Sequence, residues 1–268
     1  MTVTPLLSRL VVGIVGLAVV LPLVHYGDLW TLGLALVAGL LALHEFYRLA
    51  RPLRPVVIAG YLGLAGTLVG ASLGGPQWLL GGFACTLALA FVLKGLSDTR
   101  QSATVAVGTT VLGVGWIGLG LGHALLIRDL PEKGRLALYA VLIAVFAADT
   151  AAYFAGRLLG RHRMAPTISP GKTWEGFVFG TAAAIFATWI VLYGTSFELT
   201  GWRSLVLGAA IAGAAALGDL FESLLKRDMR VKDTGTLLGG HGGVLDRIDS
   251  LLFAAVAAYY VIAAFGGR

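Results

Sequence analysis

The chain has 268 residues, of which 57% are hydrophobic and only 13% are charged. Together with a mean hydropathy of +0.86, this composition excludes an ordinary soluble globular domain and indicates an integral membrane protein. The net charge of +6 indicates no nucleic-acid partner, because the basic residues cluster between apolar stretches, and the single cysteine, Cys85, excludes a disulfide within the chain.

Nine apolar stretches approach the ~20 residues that a helix needs to cross ~30 Å of hydrocarbon. They lie, in chain order, at about 8–26, 28–47, 56–74, 77–95, 104–127, 135–155, 174–195, 202–225 and 248–265. The small residues within them allow membrane helices to pack closely. We therefore predict an all-α polytopic membrane bundle of about nine transmembrane helices. Residues 1–130 are interpreted as N-terminal helices, and residues 131–268 as a catalytic region of the same continuous membrane domain.

The distribution of lysine and arginine predicts how these helices are oriented, since cytoplasmic loops carry an excess of both. If the N-terminus is cytoplasmic, most of the 20 basic residues fall on that side. This orientation places two charged loops, 156–173 and 226–247, in the cytoplasm.

Three acidic residues lie where lipid is expected. Asp149 falls in the sixth predicted span, and Asp219 and Glu222 fall in the eighth. An ionised carboxylate in the bilayer costs ~2.5 to 3.5 kcal/mol on insertion scales, so each needs a cation, a metal ion or water. Asp219, Glu222 and Ser223 share one helix face, which predicts an inward polar stripe. Pairing with a loop lysine or arginine and metal binding both remain open for these acids.

Other polar residues in the predicted spans give weaker evidence for a metal site. His44 with Glu45, and His123 further along, lack a second ligand at helical spacing. The sequence therefore predicts no metal site at these positions.

The loop at 156–173 carries four basic residues and ends in Ser169-Pro-Gly-Lys-Thr. It is not a P-loop, because that pattern needs glycine where Pro166 stands. Ser169 and Lys172 nonetheless precede a predicted helix, whose free backbone N–H groups can hold an anion. They are interpreted either as phosphate contacts or as a simple turn and helix start.

The segment at 223–249 combines charges of both signs around a glycine cluster. The four lysine and arginine residues before the glycine cluster can offset phosphate charge, and Gly242 and Gly243 let the backbone approach a ligand. Asp246 and Asp249 then supply the carboxylate oxygens that Mg²⁺ takes together with phosphate. Capping of the ninth helix is an alternative for both acids. The combination favours phosphoryl or nucleotidyl transfer.

The same segment, SLLKRDMRVKDTGTLLGGHGGVLDRID, resembles the signature of the phosphatidate cytidylyltransferases, also called CDP-diacylglycerol synthases. Two upstream stretches, DTAAYFAGRLLGR and SPGKTWEG, are similar to that family as well, although Gly171 stands where many members carry a basic residue. The resemblance implies transfer from CTP to phosphatidate, giving CDP-diacylglycerol and pyrophosphate in phospholipid biosynthesis. It further implies Mg²⁺, K⁺ as a second candidate ion, a homodimer, and the bacterial inner (plasma) membrane with the site on the cytoplasmic face.

The resulting hypothesis assigns roles to individual residues. The metal candidates are Asp149, Asp219, Asp246 and Asp249. The catalytic candidates are Asp219, Asp246, Lys226, Arg227, Lys232 and His241, although His241 has a structural alternative. The substrate-binding candidates are Ser169, Lys172, Ser223, Gly242, Gly243 and Arg247.

Two other functions stay open on the sequence. A CTP-dependent polyprenol or dolichol kinase would phosphorylate an alcohol and release CDP. An ion-coupled transporter would place its acids at the midplane of the membrane.

Overall fold

The computed structural model describes residues 16, 18–97, 102–195, 200–235 and 242–265, and these are predominantly helical. The long helices are α1 (Asp28–Leu49), α2 (Val57–Gly95), α3 (Ala103–Arg128), α4 (Gly134–Leu159), α5 (Trp174–Leu192), α6 (Trp202–Asp228) and α7 (Leu245–Ala264). Residues 18–26 are also helical. All seven long helices have the length and apolar composition of membrane spans, which confirms the predicted all-α polytopic class.

Helix α2 is too long for a single span and folds back on itself. Gly75 interrupts it with a φ of 72° and a ψ of −157°, a conformation that glycine adopts without steric cost, and Pro76 starts the second half. A Cβ on Gly82 would lie only 2.6 Å from the backbone of Gly66, so the two halves pack in direct contact. This hairpin confirms two of the predicted spans, 56–74 and 77–95. The total of nine stays a prediction, because residues 8–15 and 17 of the first span lie outside the described residues.

The predicted loop at 156–173 contains structure that the sequence did not indicate. Helix α4 continues to Leu159, and strands β1 (Arg163–Ala165) and β2 (Ser169–Thr173) then form an antiparallel hairpin. Helix α7 also begins earlier than predicted, at Leu245, so that Asp246 lies in its first turn. A carboxylate is stabilised there by the helix dipole, which compensates for its polarity at the start of an apolar helix.

The described residues group into two compact units. The first unit comprises Met1–Leu126 with Val231–Ile248, and the second comprises Ile127–Arg230 with Asp249–Arg268. In the first unit, α1, α2 and α3 pack against one another. In the second, α4 packs along α5, and both contact α6. Nothing in the sequence indicates that residues 231–248 group with the N-terminal helices.

Small residues bring α4 and α5 close together in the second unit. A Cβ on Gly176 would lie 2.8 Å from the Ala152 carbonyl oxygen, and a Cβ on Gly180 would lie 2.9 Å from that of Ala148. Both distances are too short for any side chain, so the two helices touch through their backbones. This contact fixes the helix that carries Asp149 against the helix that follows Lys172.

Candidate functional site

A cavity of about 760 Å³ lies in the second unit, lined by α4, the β-hairpin, α5 and α6. Its charged lining residues are Asp149, Arg157, Arg163, Lys172 and Asp219. Much of the remaining lining consists of alanine and glycine, with Met164 and Phe177. The volume is within the usual range for ligand sites, and the mixture of charged and apolar walls suits an amphiphilic anion.

Two carboxylates and one ammonium group form the polar centre of this cavity. The Lys172 Nζ atom lies 2.7 Å from Asp219 Oδ2, and the Ser223 hydroxyl donates a hydrogen bond of 3.3 Å to Asp219 Oδ1. Asp149 interacts electrostatically with both Asp219 and Lys172, and its carboxylate accepts a hydrogen bond from the Ser250 hydroxyl. Asp219 therefore makes the pair with a loop lysine that one interpretation of the sequence predicted.

Two further acids, Asp249 and Glu222, belong to the same network of charges. Asp249 is buried and interacts electrostatically with Asp219 and Asp149, and its carboxyl group also interacts with that of Glu222. Glu222 is only 1% exposed and pairs with Lys226, one turn further along α6. Four carboxyl groups thus interact with two lysines. This excess of negative charge favours the binding of an additional cation, either alone or as the counterion of a bound ligand.

The β-hairpin is held in place by contacts from three sides. The Glu175 carboxylate accepts hydrogen bonds from the backbone N–H groups of Arg161 and His162 and lies 2.6 Å from His162 Nδ1. The Thr173 hydroxyl accepts a bond from the Gly176 N–H and caps α5. Arg227 Nε donates to the Ile168 carbonyl oxygen at 3.2 Å. These contacts position Ser169 and Lys172 in the cavity wall.

A separate polar cluster lies in the first unit. The Asp246 carboxylate accepts hydrogen bonds from the Thr234 N–H at 3.1 Å and from the Gly243 N–H at 2.7 Å. Glu45 of α1 accepts hydrogen bonds from the Val244 and Leu245 N–H groups of the same segment. Asp246 therefore connects the two described arms of the glycine-rich segment, at 231–235 and 242–248.

The predicted site residues divide between these two clusters. The structure brings together Asp149, Ser169, Lys172, Asp219, Ser223 and Asp249 in the second unit, with Lys226 and Arg227 on α6 beside them. It places Lys232, Gly242, Gly243, Asp246 and Arg247 in the first unit, where Lys232 and Arg247 are exposed. His241 lies outside the described residues.

The cavity contains two carboxylates, and these suit a magnesium ion whose coordination shell is completed by the substrate. Among the described residues, no group of three or more His, Cys, Asp or Glu side chains is arranged to hold a metal ion by itself. Mg²⁺ usually takes only one or two carboxylates, with water and substrate phosphate as its other ligands. Asp149 and Asp219 can supply the protein's share of such a site.

Several polar residues of the two clusters were not candidates on the sequence. The sequence identifies Arg157 and Arg163 only as basic loop residues, and Ser250 belongs to none of the predicted motifs. Glu45 lacks a metal-binding partner at helical spacing, yet a carboxylate within an apolar stretch is the same anomaly that distinguishes Asp149. Burial cost alone was therefore the signal that could have identified it.

The chain is similar to known proteins over nearly its whole length. The model of the cytidylyltransferase family matches residues 7–265. A phosphatidate cytidylyltransferase of Mycobacterium bovis is 34% identical over 279 residues, covering 95% of this chain and 87% of that protein. One of Staphylococcus aureus, strain COL, is 32% identical over 250 residues, covering 91% of this chain and 94% of the relative. One of Haemophilus influenzae is 44% identical over 128 residues, or 46% of this chain and 44% of that protein.

Proposed function

The chain belongs to the cytidylyltransferase family, and we propose that it converts CTP and phosphatidate to CDP-diacylglycerol and pyrophosphate in phospholipid biosynthesis. The observation that carries this proposal is the cavity in which Asp149, Asp219 and Lys172 meet beside two arginines and an apolar wall. The relatives that match most of the chain bear the name of this activity.

The charges around the cavity suit a reaction between two polyanions. Each pair of like charges 4 Å apart repels by ~1 kcal/mol in bulk water and by ~4 kcal/mol at an effective dielectric constant of 20. Arg157, Arg163 and Lys172 line the cavity and can offset this repulsion. Arginine can also bind two phosphate oxygens at once, which would fix the orientation of a bound phosphate.

Asp149 and Asp219 are the residues that would hold Mg²⁺, with Asp249 as a supporting acid. A bound divalent ion supplies charge neutralisation and Lewis-acid polarisation of a phosphoryl oxygen. Lys172 would balance the charge of Asp219 before substrates bind. A role for K⁺ stays a prediction from the family resemblance.

The proposed reaction is a direct in-line displacement. A phosphate oxygen of phosphatidate forms a bond to the α-phosphorus of CTP, and the bond from that phosphorus to the oxygen that bridges to the β-phosphorus breaks. Pyrophosphate leaves with the electron pair, and no covalent bond to the protein forms. The protein contributes by positioning both phosphates and by stabilising their charge.

The location of the site follows from the solubility of the two substrates. The chain has apolar helices that can span a membrane, and the acyl chains of phosphatidate would lie among them. CTP would arrive from the cytoplasm, on the side that the lysine and arginine distribution favours. A bacterial inner-membrane location and a homodimer belong to the same proposal.

The test is a product analysis with purified protein in detergent. Phosphatidate, labelled CTP and Mg²⁺ should give a labelled CDP-lipid and pyrophosphate, and EDTA should abolish the product. A parallel reaction with a polyprenol separates the kinase alternative, which would give a lipid phosphate and CDP. Absence of a CDP-lipid from folded protein, with Mg²⁺ and phosphatidate at saturating concentrations, would contradict the proposal.

A further inference from the structure

Glu45 is a fully buried acid near the end of α1, with only 1% of its surface exposed. Its Oε1 atom accepts a hydrogen bond from the Val244 N–H at 3.0 Å, and its Oε2 atom accepts one from the Leu245 N–H at 2.9 Å. The Thr234 hydroxyl also donates to Oε2 at 3.4 Å. One carboxylate thus holds both described arms of the 231–248 segment.

The glycines of this segment are packed directly on that carboxylate. A Cβ on Gly243 would come within 2.3 Å of Glu45 Oε2, and a Cβ on Gly235 would lie 2.6 Å from Oε1. No side chain fits at either position while the Glu45 carboxylate stays in place. Glycine is therefore required here for close packing against an acid of α1, in addition to any approach to a ligand.

Glu45 and Asp246 act on the segment in a complementary way. Asp246 accepts the N–H groups of Thr234 and Gly243, whereas Glu45 accepts those of Val244 and Leu245. The N–H groups of Val244 and Leu245 are at the start of α7, where the helix dipole favours a negative charge. The two carboxylates together fix the backbone of both described arms, at 231–235 and 242–248.

Both oxygens of Glu45 are needed for this role. Each accepts at least one backbone N–H, and hydrogen bonds to an ionised acceptor are stronger than neutral ones. A glutamine at this position would present an NH₂ group to one of the two N–H donors. That donor would then be buried without an acceptor, which is unfavourable.

We propose that Glu45 is a positioning residue for the transferase reaction, which holds the two described arms, 231–235 and 242–248, in the conformation that binds CTP. This inference rests on the proposed function and on the prediction from the sequence that Lys232 and Arg247 contact phosphate. Helix α1 thereby contributes to nucleotide affinity through a side chain that does not itself touch the nucleotide.

Loosening the segment should lower the fraction of protein that is competent to bind. The apparent dissociation constant equals the intrinsic one divided by that fraction, and a saturating ligand restores the competent state. We therefore expect Glu45→Gln to raise KM for CTP by about tenfold or more, while kcat stays within about threefold. Thr234→Val removes only the longest of the three contacts, and we expect a rise in KM of about two- to threefold.

The experiment compares these variants with Glu132→Gln, which removes the same charge from an exposed turn before α4. KM and kcat for CTP are measured at saturating phosphatidate, well below the melting temperature of each variant. Limited trypsin digestion without CTP provides a second measurement, read by mass spectrometry as the fragment that ends at Lys232. We expect this fragment to form faster in Glu45→Gln, more slowly when CTP is added, and at the wild-type rate in Glu132→Gln.

Three results would overturn the inference. They are an unchanged KM and cleavage rate in Glu45→Gln, a fall in kcat with unchanged KM, and an equal rise of KM in the Glu132→Gln control. If Glu45→Gln does not fold, Thr234→Val must show the smaller KM rise and faster cleavage. If the wild-type protein makes no CDP-lipid, the proposed function fails, whereas trypsin cleavage still decides whether Glu45 holds the segment.

Discussion

The Lys172 ammonium group lies 2.7 Å from the Asp219 carboxylate and so joins strand β2 to helix α6 beside the cavity. Asp149 of α4 interacts with both groups, so three separate elements contribute to one charged centre. The contact shows how a loop lysine compensates for an acid in a membrane helix. It also places a cation next to the carboxylates that are proposed to bind metal.

Replacing Lys172 with methionine should reduce CDP-lipid formation by roughly 100-fold, because a phosphate contact and the counter-charge of Asp219 are lost together. The rate of CDP-lipid formation is measured with labelled CTP. Lys94→Met, which removes a lysine from the last turn of α2, serves as the control and should retain activity. Comparable activity of the two variants would contradict a role for Lys172 at the phosphates.

Replacing Asp219 with asparagine should raise the Mg²⁺ concentration needed for half-maximal activity by about tenfold or more, since a neutral amide is a weaker ligand for a hard cation. The measurement is a Mg²⁺ titration of the CDP-lipid rate. Asp28→Asn is the matched control, because Asp28 is an exposed aspartate in the first turn of α1. An unchanged Mg²⁺ dependence in Asp219→Asn would remove this residue from the proposed metal site.

Replacing Gly180 with alanine should destabilise the protein by about 1 to 3 kcal/mol, because the new Cβ would lie 2.9 Å from the Ala148 carbonyl oxygen and force α4 away from α5. Thermal unfolding in detergent reports the change. Gly213→Ala on α6 is the control, since a Cβ there meets nothing within 4 Å and alanine favours a helix. Equal melting temperatures for the two variants would show that the close helix contact is not required.

Replacing Gly75 with alanine should cost about 1 to 2 kcal/mol, because the turn of the α2 hairpin requires a φ of 72° that alanine adopts poorly. Gly81 is five residues from the turn's Pro76 and has open space around its Cβ position. Gly81→Ala should therefore be neutral or slightly stabilising. Unfolding of both variants is followed in the same detergent, and a stable Gly75→Ala variant would argue against a sharp reversal at this position.

The sequence was most informative where a residue contradicts its surroundings. Asp149 and Asp219 stand out because a lone carboxylate in an apolar helix is costly, and the structure brings them together with Lys172 and Asp249. The spans were predictable for a related reason, since their apolar length is set by the membrane. The break at Gly75 lies between the predicted spans 56–74 and 77–95.

Other features depend on contacts that no local pattern encodes. The β-hairpin at 163–173 is stabilised by Glu175 and Arg227, which lie outside it in the chain. The bonds from Thr234, Val244 and Leu245 to Glu45 join residues that are 189, 199 and 200 positions apart. A single sequence gives no indication of such pairings, so the role of Glu45 could not be predicted from spacing.

The contact between Glu45 and the start of α7 also constrains biosynthesis. Glu45 and Leu245 are 200 positions apart, so a ribosome that adds ~5 to 20 residues per second needs ~10 to 40 s to supply the second after the first. During that interval the Glu45 carboxylate must be accommodated by water, by headgroups or by the insertion machinery. The first unit can therefore reach its final packing only after most of the polypeptide has been translated.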